Sequence, residues 1–256
     1  MKNIKLTIEY EGTNYWGWQI QNNLSTVQGE LKKAISIATG EEIHLIGSGR
    51  TDKKVHSLGQ VANFITNSNI PGEKYKYLLD FLLPEDITIV DSEEVDINFH
   101  SRFDAIRKKY KYIVYNQKLP SAIYRNFSYH VKDDLNIDDM VQASKYFIGT
   151  HDFTSFKVSK TIKPNNIRTI YHINIEKKGD IIEFTFEGNS FLHNMVRIIV
   201  GTLIYVGKGR INKDQIPRII LDKNRDKAGV TAPPQGLFLE KVFYWQKRID
   251  IDNYMY

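Results

Sequence analysis

Lys2-Asn3-Ile4-Lys5-Leu6-Thr7-Ile8-Glu9-Tyr10 opens the chain with an apolar residue at every second position from Ile4 to Tyr10. Successive side chains of a strand point to opposite faces, so this alternation predicts a half-buried strand. A loop follows from Glu11 to Gln21. Ser25 then precedes a helix, with Gln28 three residues on as a capping-box partner. Val27, Leu31, Ala34, Ile35 and Ala38 share one helical face, and Gly40 suits the stop. Ile43–Ile46 and Val61–Ile65 read as strands around a Gly-rich turn. Leu82-Leu83-Pro84-Glu85-Asp86 interrupts the chain before another strand, Ile87–Val90.

The second half repeats this order loosely. Tyr110–Tyr115 reads as a strand, and Asn136 caps a helix whose apolar face holds Ile137, Met140, Val141, Phe147 and Ile148. Strands are predicted at Thr169–Glu176 and Ile181–Glu187, a helix after Ser190, a short helix over Asp214–Leu221 and a closing strand at Leu237–Tyr244. Two strand-helix-strand halves predict an α+β protein, with a largely antiparallel sheet and helices packed on it. No low-complexity linker separates them, so one continuous unit is expected.

Composition narrows the function classes. The chain has 256 residues, enough for a sizeable core, and no cysteine, which excludes disulfides, thiolate nucleophiles and Cys-ligated zinc. No run of about 18 apolar residues exists, so no membrane-spanning helix is expected. The N-terminus lacks the apolar core of a signal peptide, and a cytoplasmic location is expected. Formal net charge is +5, and the cations cluster. Arg102, Arg107, Lys108, Lys109 and Lys111 stand among Phe99, Phe103, Tyr110, Tyr112 and Tyr115, and a second group runs from Lys208 through Arg210, Lys213, Arg218, Lys223 and Arg225 to Lys227. Positive charge beside flat rings suits a nucleic acid. A solvated charged surface is the other reading.

Two segments could carry chemistry. Gly47-Ser48-Gly49-Arg50-Thr51-Asp52 sits between predicted strands, and its glycines allow a sharp turn and a close approach to a ligand. It is neither a P-loop nor a dinucleotide-binding turn. A plain turn with Asp52 bonding its own backbone would also explain it. In the predicted helix Phe191–Tyr205, apolar residues cover more than half the circumference, so the helix is buried. Arg197 lies near the centre of the remaining arc, with Ser190, His193, Asn194 and Gly201. A charge on a buried helix needs a partner, either a structural carboxylate or a catalytic acid. The seven histidines form no HxxxH, HxH or HExxH pattern, and no Gly-x-Ser-x-Gly elbow is present. Trp16 and Trp18 read as core anchors.

Taken together, the segments resemble the TruA family of tRNA pseudouridine synthases. The resemblance rests on Tyr10-Glu-Gly-Thr-Asn-Tyr-Trp-Gly-Trp-Gln19, Gly47-Ser-Gly-Arg-Thr-Asp52 with Val55-His56, and Phe99-His-Ser-Arg-Phe-Asp-Ala105. It continues through Tyr110-Lys-Tyr112, Arg168-Thr-Ile170, Phe191-Leu-His-Asn-Met-Val-Arg197 and Ala228-Gly-Val-Thr-Ala-Pro-Pro-Gln-Gly-Leu237. It implies two RRM-like (ferredoxin-like) halves, 1–104 and 105–246, with a tail at 247–256. Their sheets would join into one, with the active-site cleft between them. It also implies a homodimer acting on uridines at positions 38 to 40 of the tRNA anticodon stem-loop, without metal, nucleotide or redox cofactor. By position, Asp52 would be the nucleophile, Tyr110 the tyrosine against the target base, and Arg197 the basic partner of the aspartate. Arg50 would help displace the nucleotide, and Arg168 would be another cation of the cleft.

One departure stands beside the nucleophile. The family continues Ala-Gly-Val-His-Ala, whereas this chain reads Lys53-Lys54-Val55-His56-Ser57. If the family glycine has a positive φ, Lys54 is strained there. Lys53 and Lys54 are candidate substrate-binding residues, at least one of them expected to reach substrate phosphates, and a paralogue acting on another structured RNA fits the change. A noncatalytic RNA-binding protein and a carboxylate-pair hydrolase of nucleosides or glycosides are the competing readings.

Overall fold

The computed structural model describes residues 1–158 and 165–245; the tail expected at 247–256 lies outside them. The alternating opening segment is the strand β1 (Lys2–Tyr10), with Ile4, Leu6, Ile8 and Tyr10 all buried. Helix α1 (Val27–Thr39) follows and ends at Gly40, whose φ of 72° is the left-handed stop expected of it. The helix starts one residue later than the capping-box reading. Ser25 is still tied to the preceding loop, its carbonyl accepting from Trp16 N–H, so Thr26 is the N-cap and accepts from Gly29 N–H. The Gln28 amide serves Leu45 O and Ile20 N–H instead.

The remaining elements are β2 (Ile46–Gly47), β3 (His56–Thr66), α2 (Tyr75–Asp80), β4 (Ile87–Val95), β5 (Ala105–Asn116), β6 (Tyr129–Val131), α3 (Ile137–Ser144), β7 (Gly149–Asp152), β8 (Ile167–Lys178), β9 (Ile181–Gly188), α4 (Met195–Gly207), α5 (Ile216–Asp222) and β10 (Leu237–Tyr244). One sheet collects all ten strands in the order β4-β1-β3-β10-β5-β9-β8-β7, with β2 on β3 and β6 on β5. Its pairings are antiparallel except β3–β10 and β5–β6. This is the mixed α+β architecture that the hydrophobic patterns predict, a large sheet with helices packed on it.

Two large apolar clusters line the sheet. One gathers Ile4, Leu6, Ile8, Trp18, Val27, Leu31, Phe64, Tyr75 and Leu79. The other gathers Tyr112, Met140, Phe147, Phe184, Phe186, Ile199, Leu203 and Ile216. The sheet joins them through a short parallel register, His56 opposite Phe238 and Ser57 opposite Leu239. Val55 lies just before β3 in sequence yet is buried in the second cluster.

Two expectations need correcting. The helix expected from Phe191 begins at Met195, because Asn194 has a φ of 61° and breaks the run. Phe191 and Leu192 continue the apolar stripe without being helical, packing against the second cluster from a turn. Trp16 and Trp18 part company: Trp18 is buried, while Trp16 is 46% exposed, because the intervening Gly17 has a φ of 94° and turns the chain.

Candidate active site

The segment Gly47–Asp52 leaves β2 and is held at three points. Ser48 N–H donates to Val61 O at 2.7 Å, the Gln60 amide joins Ser48 Oγ and Gly49 O, and Lys108 Nζ donates to Ser48 O at 2.8 Å. Neither Gly47 nor Gly49 has a positive φ. They are needed for closeness to the protein itself: a Cβ on Gly47 would lie 2.5 Å from Trp18 Nε1, and one on Gly49 would lie 2.7 Å from Lys108 Nζ. Further on, Thr51 Oγ1 meets the buried Tyr10 hydroxyl at 2.8 Å, and Thr51 O accepts from Trp18 N–H. Asp52 therefore stands at the end of a fixed loop. Beyond it, Lys54 has a φ of 64°, the left-handed conformation anticipated for the family glycine.

The turn before α4 closes on Asp52 from the other side. Arg197 Nη1 donates to Asp52 Oδ2 at 3.2 Å. The same nitrogen reaches Asn194 Oδ1 at 2.6 Å, and Nε donates to Ala232 O at 2.7 Å. The Arg197 side chain is only 14% exposed, so its charge needs these partners; Asp52 is 30% exposed. The carbonyl of Ala232 belongs to the segment 228–237, which packs on α4 closely enough that a Cβ on Gly201 would meet Val230 O at 1.9 Å. Pro233 O in the same segment accepts from the buried Tyr112 hydroxyl.

Tyr110, on β5, completes the group. Its ring meets Phe191 edge-on at 5.1 Å, and its hydroxyl makes no hydrogen bond among the described residues. Burial, and secondarily the charge of Asp52, pushes its phenol well above the ordinary tyrosine range. The group is a protonated donor at neutral pH.

His193 is the site residue that sequence reasoning did not single out. Its Nε2 lies 3.2 Å from Asp52 Oδ1, opposite Arg197. The only sign was its place on the same arc as Arg197. Lys108 was noted only as one of a basic cluster, yet burial, with a contribution from Arg102, lowers its ammonium to about 8.

The other expected residues lie differently. Arg50 is exposed, and its guanidinium is unpaired among the described residues. Arg168 donates from Nη1 to the carbonyls of Asn165 and Ile167, its Nε is buried without a partner, and no hydrogen bond or ion pair joins it to Asp52 among the described residues. Lys53 places Nζ 3.2 Å from the centre of the Trp16 ring, a cation–π contact.

The basic clusters are largely spent inside the protein. On β5, Arg107 pairs with Glu187 at 3.0 Å, Lys109 with Glu240 at 3.0 Å, and Lys111 contacts Glu183 at 3.9 Å. In the second cluster Lys208, Lys213, Arg218 and Lys223 pair with Asp133, Asp139, Asp222 and Asp152. Much of the charge that suggested a polyanion surface is thus matched across strands and helices.

A family model described as tRNA pseudouridine synthase matches residues 6–104 and 143–245. This chain belongs to the tRNA pseudouridine synthase family. Its similarity to curated relatives runs nearly end to end. It is 52% identical over 244 residues to tRNA pseudouridine synthase A of Thermoanaerobacter sp. (strain X514), covering 95% of this chain and 100% of the relative. It is 53% identical over 245 residues to tRNA pseudouridine synthase A 2 of Clostridium tetani, covering 95% and 99%. Among solved structures, an archaeal box H/ACA sRNP Nop10–Cbf5 complex is similar at a TM-score of 0.37 and 14% identity, over 79% of this chain and 43% of that one. As a pseudouridine synthase, this protein is an isomerase that modifies tRNA. The matched residues include Asp52 and Arg197 but not Tyr110, which falls between the two matched stretches.

Proposed function

We propose that this pseudouridine synthase isomerises uridine in the anticodon stem-loop of tRNA, at positions 38 to 40, with Asp52 as its nucleophile. The observation that carries this reading is a single carboxylate at the end of a fixed loop, partly open, with Arg197 donating to one oxygen, His193 beside the other and the phenol of Tyr110 in its field.

The reaction breaks the N1–C1′ bond of uridine, turns the uracil over and joins C5 to C1′. C5 then loses its proton and N1 gains one, so product and substrate are isomers. Asp52 supplies a covalent partner during the exchange, at C1′ or at C6 of the base. The target base must first leave its stack, at a cost of a few kcal/mol. Arg50, unpaired among the described residues, fills the vacated space. Tyr110 packs against the base and assists removal of the C5 proton as a relay, giving up its own phenolic hydrogen as it takes that one. Arg168 offers an RNA phosphate the guanidinium N–H groups that Asn165 O and Ile167 O leave unused, and Lys53 and Lys54 flank the entering strand. A closed pocket keeps the detached uracil from escaping.

The connectivity supports two RRM-like halves, 1–104 and 105–246. Strands β1, β2, β3 and β4, with α1 and α2 between them, follow the order β-α-β-β-α-β and lie as β4-β1-β3-β2. Strands β5, β8, β9 and β10 follow the same order around α3 and α4 and lie as β10-β5-β9-β8. The cleft would run where β3 meets β10. The exposed apolar residues Leu119, Ile123, Tyr124 and Phe127 support a homodimer, which light scattering should report at twice 29.8 kDa. Because Lys54 keeps the left-handed turn, the departure beside the nucleophile leaves the backbone intact, which favours the family substrate over another structured RNA.

The test uses tRNA labelled with tritium at uridine C5. The wild-type protein should release tritium, whereas Asp52→Asn should release none and still bind tRNA, since phosphate contacts supply most affinity. Turnover by the Asn variant would overturn the assignment. Free uracil would indicate a hydrolase, and binding without release by the wild type a noncatalytic RNA-binding protein.

A further inference from the structure

Asp52 has two partners, and they differ in kind. Arg197, on α4, holds Oδ2 from a buried position. His193, in the turn before α4, stands 3.2 Å from Oδ1 and is 57% exposed. The second ring nitrogen of His193, Nδ1, lies 2.7 Å from Val158 O, and Val158 N–H donates back to His193 O at 3.3 Å. The ring is therefore fixed at both ends.

The partners of the ring divide its two nitrogens. A backbone carbonyl only accepts, so Nδ1 carries a hydrogen toward Val158 O. Nε2 stands between two groups, and Asp52 Oδ1, at 3.2 Å, can pair with it when it carries a hydrogen. The other neighbour of Nε2 is Asn194 Nδ2, at 3.4 Å. That amide is oriented by Oδ1 accepting from Arg197 at 2.6 Å, which turns its NH₂ toward the histidine. A ring without a hydrogen on Nε2 accepts from this amide, and a ring with one turns to the carboxylate, where the charge-assisted bond is the stronger interaction.

We propose that His193 is a positioning residue for the pseudouridine-forming step. With a hydrogen on Nε2 it holds Asp52 Oδ1, while Arg197 holds Oδ2, so that the plane of the carboxylate is fixed when the target nucleotide arrives. The inference rests on Asp52 being the nucleophile. With Arg197 alone, the carboxylate is held at one oxygen and can rotate about its side-chain bonds. Each carboxylate oxygen has two lone pairs, so Oδ1 can accept from His193 with one and present the other to the substrate. The arrangement also divides the labour by depth. The buried Arg197 is part of the packed structure, whereas the exposed His193 can be removed without opening the core.

The experiment compares His193→Phe, which keeps a ring but loses both donors, with His193→Gln, which keeps one N–H donor for Oδ1. Tritium release is measured against tRNA concentration, with melting curves for each variant. His193→Phe should lower kcat about tenfold, the loss of one charge-assisted hydrogen bond, with KM within about threefold of wild type. His193→Gln should recover most of the loss, and both should melt with the wild type, since the side chain is exposed. A kcat within about twofold of wild type in both variants overturns the inference, as does a rise in KM alone, which would make His193 an RNA-binding residue. Asp52→Asn run alongside separates the two readings. If it is inactive while His193→Phe is unimpaired, only the positioning role falls; if it is active, the nucleophile assignment falls first.

Discussion

Replacing Arg197 with methionine tests the site and the fold together. Methionine keeps the length of the alkyl stem and removes three interactions: Nη1 to Asp52 at 3.2 Å, Nη1 to Asn194 at 2.6 Å and Nε to Ala232 O at 2.7 Å. The carbonyl of Ala232, a buried residue, loses its guanidinium donor, and a buried unsatisfied group costs roughly 1–3 kcal/mol. Breaking a fully buried ion pair costs about 3–5 kcal/mol. Asp52 falls short of that limit because it is 30% exposed and keeps His193 on its other oxygen. The net cost should be about 2–4 kcal/mol, which at about 2–4 °C per kcal/mol for a chain of this size lowers Tm by roughly 4–16 °C. Turnover should fall at least about a hundredfold, since Asp52, the proposed nucleophile, then loses its buried anchor. Thermal melting followed by circular dichroism gives the stability term, and tritium release gives the activity. In an Asp52→Asn background the same substitution should cost about 1–2 kcal/mol less, the coupling expected of groups in contact. A Tm within about 2 °C of wild type, with no such coupling, would refute the reasoning and make the pair a weak surface contact.

Two further outcomes follow from the loop. Lys54→Gly should raise Tm by about 2–8 °C, because a non-glycine residue in the left-handed region costs about 1–2 kcal/mol; an unchanged or lower Tm would mean that Lys54 compensates through contacts of its own. Lys108→Met should stabilise the protein near neutral pH yet reduce turnover, because Ser48 O loses its donor. Burial lowers Lys108 from 10.5 to about 8, so between those values the unfolded chain binds more protons than the folded one and stability rises with pH. The advantage of Lys108→Met should therefore be full below about pH 8 and shrink as pH rises toward 10.5; melting curves that show a pH-independent gap would refute it.

What could be read from the sequence depended on whether the signal was local. Alternation gave β1, β9 and β10 nearly to the residue, and Gly40 marked the end of α1. The start of α4 was misread because Phe191 and Leu192 are apolar and buried whether or not they are helical, and only the left-handed Asn194 separates the cases. Trp16 and Trp18 are the same residue type one glycine apart, so exposure turned on a dihedral angle that composition does not reveal. Counting cations overstated the polyanion surface, because Glu183, Glu187 and Glu240 lie on neighbouring strands and far along the chain. Arg197 was legible as a charge in need of a partner, and Asp52 as the carboxylate of a Gly-rich turn. His193 was not, because its role depends on where Val158 and Asp52 come to lie around one ring.

The burial of Val55 among the residues of the second apolar cluster has a mechanical consequence. The loop that carries Asp52 is rooted in one cluster, through Trp18 and Thr51, but its far end is planted in the cluster to which α4 and Arg197 belong. The strands β3 and β10 share only two paired residues, but Val61, Leu239 and Val242 pack across the same junction, and Ser57 Oγ donates to Leu239 O. The carboxylate of Asp52 and the guanidinium of Arg197 are thus tied through packing as well as through their ion pair, so a load placed on either cluster would reach both sides of the site together.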